Sequence, residues 1–562
     1  MTDSTETFLR VPTDSLGNPI TVPDSDDILV VTAADGSRWE LVCGLEVHAE
    51  LATATKMFSG APNRFGDEPN TNVDPVTLGL PGTLPVVNRR AVELAIRFGC
   101  AVGGPESVRR SVFARKNYFY PDQPKNFQIS QYDQPIVVDG RLELPSGHVV
   151  GIERAHLEED TGKTTHIGGD GRIHGADHSL VDYNRAGVPL LEIVSRPHVR
   201  SAEQARQYVS ELRSILVACG ISDGKMEEGS MRVDANVSVR REGTQEIRTR
   251  CEIKNLNSLR SLGRAIEYEA TRQADLHSVG DKLSQETRHW NEADGRTSTM
   301  RSKEEADDYR YFPEPDLVPV DPDRAWVEEI AASLPMLPAA RRHRLADAAG
   351  LEHTADAIAI IIDRDQDSQA LVAMAIAAGH WTHRPVEADP EPAPQTDIFT
   401  GDTEARSHGH GVGETGELAA AAALASDAIK ARVLVHIAQN LAGDGGADLA
   451  PDRLAELVTL EADGALTATQ AKQVLAALVA DASVTAAGVA RAKGFEAMDT
   501  GALESSVDEV IAASPVEWEE FRNGDPKVRG KMTGFFVGKV MKATKGQADG
   551  KAATALLNQK AE

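Results

Sequence analysis

Glu46, His48 and Glu50 stand at every second position of GLEVHAEL, residues 44–51. Successive side chains of a β-strand point to opposite faces, so these three share one face, with Leu45, Val47 and Ala49 on the other. Two carboxylates and an imidazole on one face can hold a hard divalent cation or pass protons; the same alternation also describes the wet side of a half-buried strand. A second acidic group, Glu158, Glu159 and Asp160 in GIERAHLEEDTGKTTH (151–166), is flanked by His156 and His166. Adjacent carboxylates repel one another unless solvent, a cation or a basic group compensates. Alone, this group reads as an acidic turn in an acidic protein. Together the two groups could converge on Mg2+, which prefers carboxylate oxygens and binds phosphate, imidazole being an unusual extra ligand.

Between them lies ARKNYFYPDQPKNFQISQYDQP (114–135), where Arg115, Lys116 and Lys125 sit among Tyr118, Phe119, Tyr120, Phe127 and Tyr132. Cations among aromatics suit a phosphate and a stacked base or ribose; they equally suit an aromatic core with a cationic rim. SLVDYNRAGVPLLEIVSRP (179–197) carries Asp182, Asn184, Arg185 and Glu192 around a Gly-Val-Pro turn. In KMEEGSMRVDANVSVR (225–240) the alternation puts Arg232, Asp234, Asn236 and Ser238 on one strand face, a mixture of charges that suits a binding floor. RCEIKNLNSL (250–259) adds Lys254 and Asn255, and DDYRYFPEPD (307–316) reads as a domain-closing loop.

These segments need several domains to carry them, since 562 residues exceed one ordinary core. Residues 1–38 read as an extension with a strand pair near its end, and 39–325 as a mixed α/β domain holding the motifs above. Residues 326–495 read as a helical domain, and 496–562 as a small helical tail. One helix is well marked: Ser201 to Gln204 spells an N-terminal capping box, Tyr208, Leu212, Ile215 and Leu216 form its apolar stripe, and Gly220 ends it. Segment 383–417 is rich in Pro, Gly and acid, which predicts a disordered linker. The chain has 59 Lys+Arg against 86 Asp+Glu, a net of −27, which excludes a uniformly basic coat for nucleic acid but not a local basic patch. Its four cysteines are scattered, so neither a disulfide framework nor a thiolate zinc site is readable. The opening residues are polar and acidic, unlike a secretory leader, and no apolar run approaches the ~18 residues of a membrane span, which predicts a cytoplasmic protein. No P-loop occurs, because Leu157 stands where its first glycine belongs before GKT (162–164). GISDG (220–224) spells G-x-S-x-G but follows the helix that Gly220 ends rather than a strand, so it makes no nucleophile elbow, and without a cysteine–histidine signature nitrogen drawn from glutamine would have to be released by another polypeptide.

GLEVHAEL, KMFSGAPNRFG, EPNTNVDPVTLGLPGTLPVVN, KNYFYPDQPKNFQISQYDQP, HLEEDTGK, VDYNRAGVPLLEIVS, MEEGSMRVDANVSVR, EIKNLNS and DDYRYFPEPD occur in that order. This series resembles the catalytic cradle of the B subunit of aspartyl/glutamyl-tRNA amidotransferase, and MTGFFVGKVMKATKGQAD (532–549) is similar to that family's tail. The resemblance implies an α+β protein: a mixed α/β cradle, an all-helical domain, and a helical tail of the YqeY type. It implies a carbon–nitrogen ligase with glutamine as amido donor, active only within a heteromeric complex. ATP and Mg2+ serve to phosphorylate the side-chain carboxylate of misacylated Glu-tRNA(Gln) or Asp-tRNA(Asn). Ammonia from an amidase A subunit then displaces the phosphate, and a small C subunit clamps the two.

By the same resemblance Glu46, His48, Glu158 and Glu159 fall on the Mg2+ and acyl-phosphate site. Arg115 and Lys116 are proposed to support the phosphoryl group, and Asp182, Asn184, Arg185, Glu192, Asp234, Asn236 and Lys254 to line the same cradle for substrate and ATP. Many members bind zinc through four cysteines; here Ser59, Ala61, Asp74 and Thr77 stand at those positions, so no structural zinc is expected. In the tail, Lys531, Lys539, Lys542 and Lys545 are proposed to contact tRNA, with Asp525-Pro526 opening the helix. The competing readings are a non-catalytic tRNA-binding scaffold and a self-sufficient metallohydrolase.

Overall fold

A computed structural model of the chain describes residues 22–168, 175–302, 309–381, 412–441, 449–495, 500–524, 526–544, 548 and 550–561. The first compact unit runs to Ala339. Its strands are β1 (Val30–Thr32), β2 (Arg38–Glu50), β3 (Ala114–Asn117), β4 (Phe127–Ser130), β5 (Val137–Glu143), β6 (Val149–Glu159), β7 (Lys163–Ile167), β8 (His178–Asp182), β9 (Pro189–Ser195), β10 (Met231–Arg241), β11 (Cys251–Lys254), β12 (Glu286–Asn291), β13 (Arg296–Ser302) and β14 (Phe312–Pro313). Its helices are α1 (Arg89–Gly103), α2 (Ala202–Ala218), α3 (Leu259–Ser278) and α4 (Arg324–Ala332). Strands β13-β12-β11-β10-β2-β9-β6-β4-β3-β14 form one mixed sheet, to which β1 adds against β2 and β5 against β6; β7 and β8 make a separate hairpin. The β1–β2 pairing is the strand pair expected near residue 38.

Alternation decides what each sheet face becomes. Leu45, Val47 and Ala49 of β2, Leu191 and Ile193 of β9, Ala155 and Leu157 of β6, and Val233 and Ala235 of β10 are buried in one core with the apolar sides of α1, α2 and α3. Full burial of such a side chain contributes about 1.5–3 kcal/mol, so this face drives the fold. The opposite face carries the polar alternates. Helix α2 begins as its sequence predicts: Ser201 Oγ accepts from the Gln204 N–H at 3.0 Å, the four stripe residues are buried, and Gly220 closes the helix at φ 63°. The second half of the box differs, because Gln204 Oε1 accepts from the Arg200 N–H at 2.9 Å. Helix α4 buries Val327 and Ile330 in the sheet's core, so residues 326–332 belong with the first unit, beyond the boundary expected at 325.

The second unit is helical: α5 (Pro338–Ala349), α6 (Asp356–Asp363), α7 (Asp367–Ala377), α8 (Val412–Ala423), α9 (Asp427–Val435), α10 (Pro451–Ala462), α11 (Ala468–Ala480), α12 (Ala486–Ala492), α13 (Thr500–Ala512), α14 (Pro515–Asn523), α15 (Pro526–Ala543) and α16 (Gly550–Ala561). Helices α5–α12 share one core, and α13–α16 enclose another around Phe521, Phe536, Val540 and Leu557. Most of the expected linker lies outside the described residues; its last part, 412–417, is helical and opens α8. Among the described residues no helix is long and apolar enough to cross a membrane.

Glu269 ties α3 to the sheet edge. Its fully buried carboxylate accepts from Arg272 (2.6 and 2.9 Å), Gln273 Nε2 (2.9 Å) and Thr297 Oγ1 (2.9 Å), with Arg288 at 3.4 Å. Burial alone would raise its pKa, but the Arg272 hydrogen bonds and charge, then Gln273 and Arg288, hold it below the ordinary glutamate range. The stabilisation is therefore complete above the unfolded pKa of about 4.3 and fades as pH falls through the lower folded value. Glu269→Ala removes a fully buried acceptor shared by Arg272, Gln273 and Thr297 and is expected to cost about 3–5 kcal/mol in urea unfolding at pH 7, with the gap to wild type narrowing at low pH.

Candidate functional site

The polar face of the sheet is assembled by register. His48 of β2 sits opposite Glu192 of β9 and Arg232 of β10; Glu192 sits opposite His156 of β6; Glu46 sits opposite Asp234. Beyond β6, Glu158 pairs with Ser130 of β4, and Lys116 of β3 pairs with Gln128. Residues as far apart in the chain as Glu46 and Asp234 thus occupy one surface.

Glu192 is the hub. Its Oε2 lies 3.5 Å from His48 Nε2 and 3.5 Å from His156 Nε2, and Arg154 approaches its other oxygen at 3.8 Å. Glu46 Oε1 is 3.7 Å from His48 Nε2, and Glu158 Oε2 is 3.8 Å from His156 Nε2. Two donor sets, Glu46–His48–Glu192 and His156–Glu158–Glu192, therefore share one carboxylate, and a third, Glu46–Asp234–Glu252, shares Glu46. Burial and the Glu192 charge push Glu46 up to about 7. Burial works against a charged His48, yet its hydrogen bond to Glu192 and the charges of Glu192 and Glu46 bring it to about 9. Glu192 is held well below the carboxylate range, burial being outweighed by His156, His48 and Arg154. The donor sets fit a hard dication: each joins at least two carboxylates, and Glu192 and Glu46 each belong to two of the sets.

His48, Lys116, Gln128, Glu158, Arg232, Asp234, Lys254 and Asn255 open into a pocket of about 520 Å³, with Met226, Met231, Met300, Tyr118 and Tyr309 also lining it. Lys254 bridges Asp234 (2.8 Å) and Glu252 (3.4 Å). Asn236 shares the face, and its Oδ1 is buried without a partner among the described residues. Asp160 lines the pocket too, clamped by Arg232 at 2.6 Å and Arg185 at 3.3 Å.

Several expected residues stand elsewhere. Glu159 follows Glu158 on β6 and so turns to the other face, where Lys125 holds it at 2.5 and 2.7 Å and the Ile129 N–H donates to it at 2.9 Å. Arg115, next to Lys116, likewise turns away and grips the buried Glu314 through two hydrogen bonds of 2.7 and 2.9 Å. Asp182 and Asn184 fasten the 67–72 loop: Asp182 accepts from the Asn70 N–H (3.0 Å), and Asn184 accepts from the Asn72 N–H (2.8 Å) and donates to Glu68 O (2.7 Å). Arg185 donates to the carbonyls of Thr161 and Gly162, both at 3.0 Å. His166 leaves the cluster to bond Ser179 on the β7–β8 hairpin.

At the positions of the family's zinc ligands, Ser59 Oγ lies 3.4 Å from Thr77 Oγ1, and Asp74 accepts from the Thr77 N–H at 2.8 Å. Two hydroxyls, one carboxylate and an alanine do not fit a structural zinc. Two residues of the cluster and pocket are not singled out by the sequence, which reads His156 only as a flank of the acidic group and Tyr309 only as part of a closing loop. His156 was readable, being two residues from Glu158 on one strand; Tyr309 was not, because only the sheet edge brings it to the pocket.

Because Glu158 and Glu192 share the face and Glu159 does not, Glu158→Gln and Glu192→Gln are expected to weaken Mn2+ binding roughly ten- to hundred-fold. Glu159→Gln should leave it within about two-fold while lowering the melting temperature, since Lys125 loses its buried partner. Electron paramagnetic resonance titration reads the first effect; equal loss in all three variants contradicts the face assignment.

Residues 41–328 match the GatB/GatE catalytic domain, and residues 419–561 match the GatB domain. The chain is 45% identical to the B subunit of the aspartyl/glutamyl-tRNA(Asn/Gln) amidotransferase of Corynebacterium glutamicum strain R, over 94% of this chain and 96% of that protein. It is 46% identical to the corresponding protein of Nocardia farcinica, over 91% and 94%, and 45% identical to that of Salinispora arenicola, over 96% and 98%. With the sheet-borne site inside the first matched domain and the likeness running through nearly the whole length, this chain belongs to the family of amidotransferase B subunits.

Proposed function

We infer that this chain is the ATP-using component of a cytoplasmic tRNA-dependent amidotransferase. Its substrate is Glu or Asp esterified to tRNA(Gln) or tRNA(Asn). The side-chain carboxylate attacks the γ-phosphorus of ATP and ADP leaves; ammonia then attacks the acyl carbon, inorganic phosphate leaves, and one proton is given up to yield the amide. A partner amidase releases that ammonia from glutamine, and a small third subunit completes the complex. The observation that carries the reading is the Glu192 hub, whose partners His48 and Glu158 line a pocket that Lys116 and Lys254 also line.

A carboxylate is a poor nucleophile toward a polyanion, so the site must neutralise the phosphoryl oxygens and hold both reactants in line. Glu46, His48, Glu158 and Glu192 would hold the magnesium ion, and the chemistry it supplies when bound is neutralisation of phosphate oxygens. Lys116 presents its ammonium to the pocket, kept charged by Glu158 although burial opposes this. Arg154 and His156 steady the Glu192 carboxylate from beneath, and Arg232 and Arg185 fix the Asp160–Gly162 turn beside the pocket.

Assembled with its partner subunits, the protein is expected to hydrolyse ATP only when misacylated tRNA is present. Glu158→Gln should lower that turnover by roughly a hundred- to a thousand-fold while tRNA binding persists, as the loss of a group acting on developing charge does. Loss of tRNA binding together with turnover would instead favour the scaffold reading.

The tail provides an RNA-facing surface in the same reading. Lys531 and Lys542, eleven residues apart on α15, are exposed and share a helix face. Lys539 is engaged differently, donating to Ser514 Oγ at 2.8 Å with its ammonium 4.5 Å from the Phe535 ring centre; Lys545 and Asp525 lie outside the described residues. Lys531→Glu combined with Lys542→Glu should weaken tRNA binding and flatten its salt dependence by roughly two units of slope, measured by filter binding from 50 to 200 mM salt.

A further inference from the structure

Of three lysines paired with acids of this sheet, Lys116 and Lys254 line the pocket and Lys125 does not, and the three are held in different ways. Lys125 is saturated by both oxygens of Glu159, and Lys254 is bonded to Asp234 at 2.8 Å. Lys116 makes no hydrogen bond among the described residues: its ammonium stands 3.8 Å from Glu158 Oε1 and 5.1 Å from the centre of the Tyr309 ring. Attraction to a carboxylate at that distance and to a ring face is strong enough to place a cation, and neither uses up its N–H donors.

The ring is held in turn by a dedicated strap. Residues 312–313 pair with β3 beside Arg115 and Ala114, and the two Arg115–Glu314 hydrogen bonds lock that pairing. Asn117 Nδ2 donates to the carbonyls of Tyr309 (2.9 Å) and Arg310 (3.0 Å), with Arg310 in the left-handed region at φ 47°. Tyr309 packs edge-on against Tyr311 at 6.1 Å, Tyr311 stacks on Tyr132 at 5.1 Å, and Arg154 caps Tyr132 at 5.0 Å. A row of three rings thus runs from the guanidinium that steadies Glu192 to the ammonium that faces the pocket.

We propose that Tyr309 is a positioning residue for phosphoryl transfer: its ring holds the Lys116 ammonium at the pocket wall and leaves the three N–H donors for phosphate oxygens. This rests on the reading of the pocket as the phosphorylation site.

The test compares Tyr309→Leu, Tyr309→Phe, Tyr309→Trp and Lys116→Met in the assembled complex, with ATP varied at saturating misacylated tRNA. Tyr309→Leu is expected to lower kcat about ten-fold with KM for ATP within about three-fold, and Phe and Trp to stay within about two-fold of wild type. Wild-type kcat in Tyr309→Leu, or an equal loss in Tyr309→Phe, overturns the proposal. Should the Leu variant melt early, the Trp variant decides, since it perturbs the shape but keeps the ring: retained kcat supports the proposal and a ten-fold loss overturns it. Lys116→Met separates the two readings. Near-normal amidation in that variant removes the phosphorylation site itself, whereas an inactive Lys116→Met beside a normal Tyr309→Leu removes only the role of the ring.

Discussion

The site depends on the two-residue period of four adjacent strands. On β10, β2, β9 and β6 alternate residues supply an apolar set sealed under α1, α2 and α3, and residues between them carry the acids and imidazoles of the cluster. A slip of one residue in any of these strands would bury its carboxylates among leucines and expose its core, so the packing on one face enforces the register on the other. The stability of the core and the geometry of the polar cluster are thus one property of the sheet. No helix or loop needs to aim Glu46, His48, His156, Glu158, Asp234 or Glu192; the pairing of neighbouring strands does it.

Placing several carboxylates on one half-buried surface is costly, because each loses water and repels the others. The sheet offsets this by interleaving positive groups at matching positions: His48 and His156 on either side of Glu192, Arg154 behind it, Lys116 beside Glu158, and Lys254 between Asp234 and Glu252. The compensation is incomplete at Glu46, whose affinity for a proton rises into the neutral range. A position where a carboxylate binds protons that readily also favours a metal cation, which removes the same repulsion. The tension within the cluster and its suitability for a dication have one cause.

What was legible in the sequence follows from the range of the interactions involved. The alternation of β2 and β10 and the caps of α2 are local, and they stand where the residue pattern puts them. The same alternation, carried to β6, separates Glu158 from Glu159 and draws in His156; treating the two glutamates as one cluster ignored it. Glu192 was harder, because within PLLEIVS it is one acid in an apolar run, and its place at the hub exists only once β2 and β6 flank β9. Asp182 and Asn184 misled for a different reason. Short polar side chains around a turn bond backbone N–H groups as readily as ligands, and here they fasten the 67–72 loop.

Charge near a phosphate-sized pocket is therefore a poor guide to role unless one asks what each charge is already bonded to. Arg115 has two hydrogen bonds to a buried carboxylate, and Lys125 has two to another; withdrawing either to meet a substrate would leave a buried anion bare, a penalty of several kcal/mol. Such cations are committed to the fold. Lys116 sits one residue from Arg115 on a four-residue strand, and the strand's alternation sends one to brace the edge strap and the other to the pocket. The bracing by Arg115 is what keeps β3 and the 309–316 segment together, so the committed cation sets the position from which the uncommitted one acts.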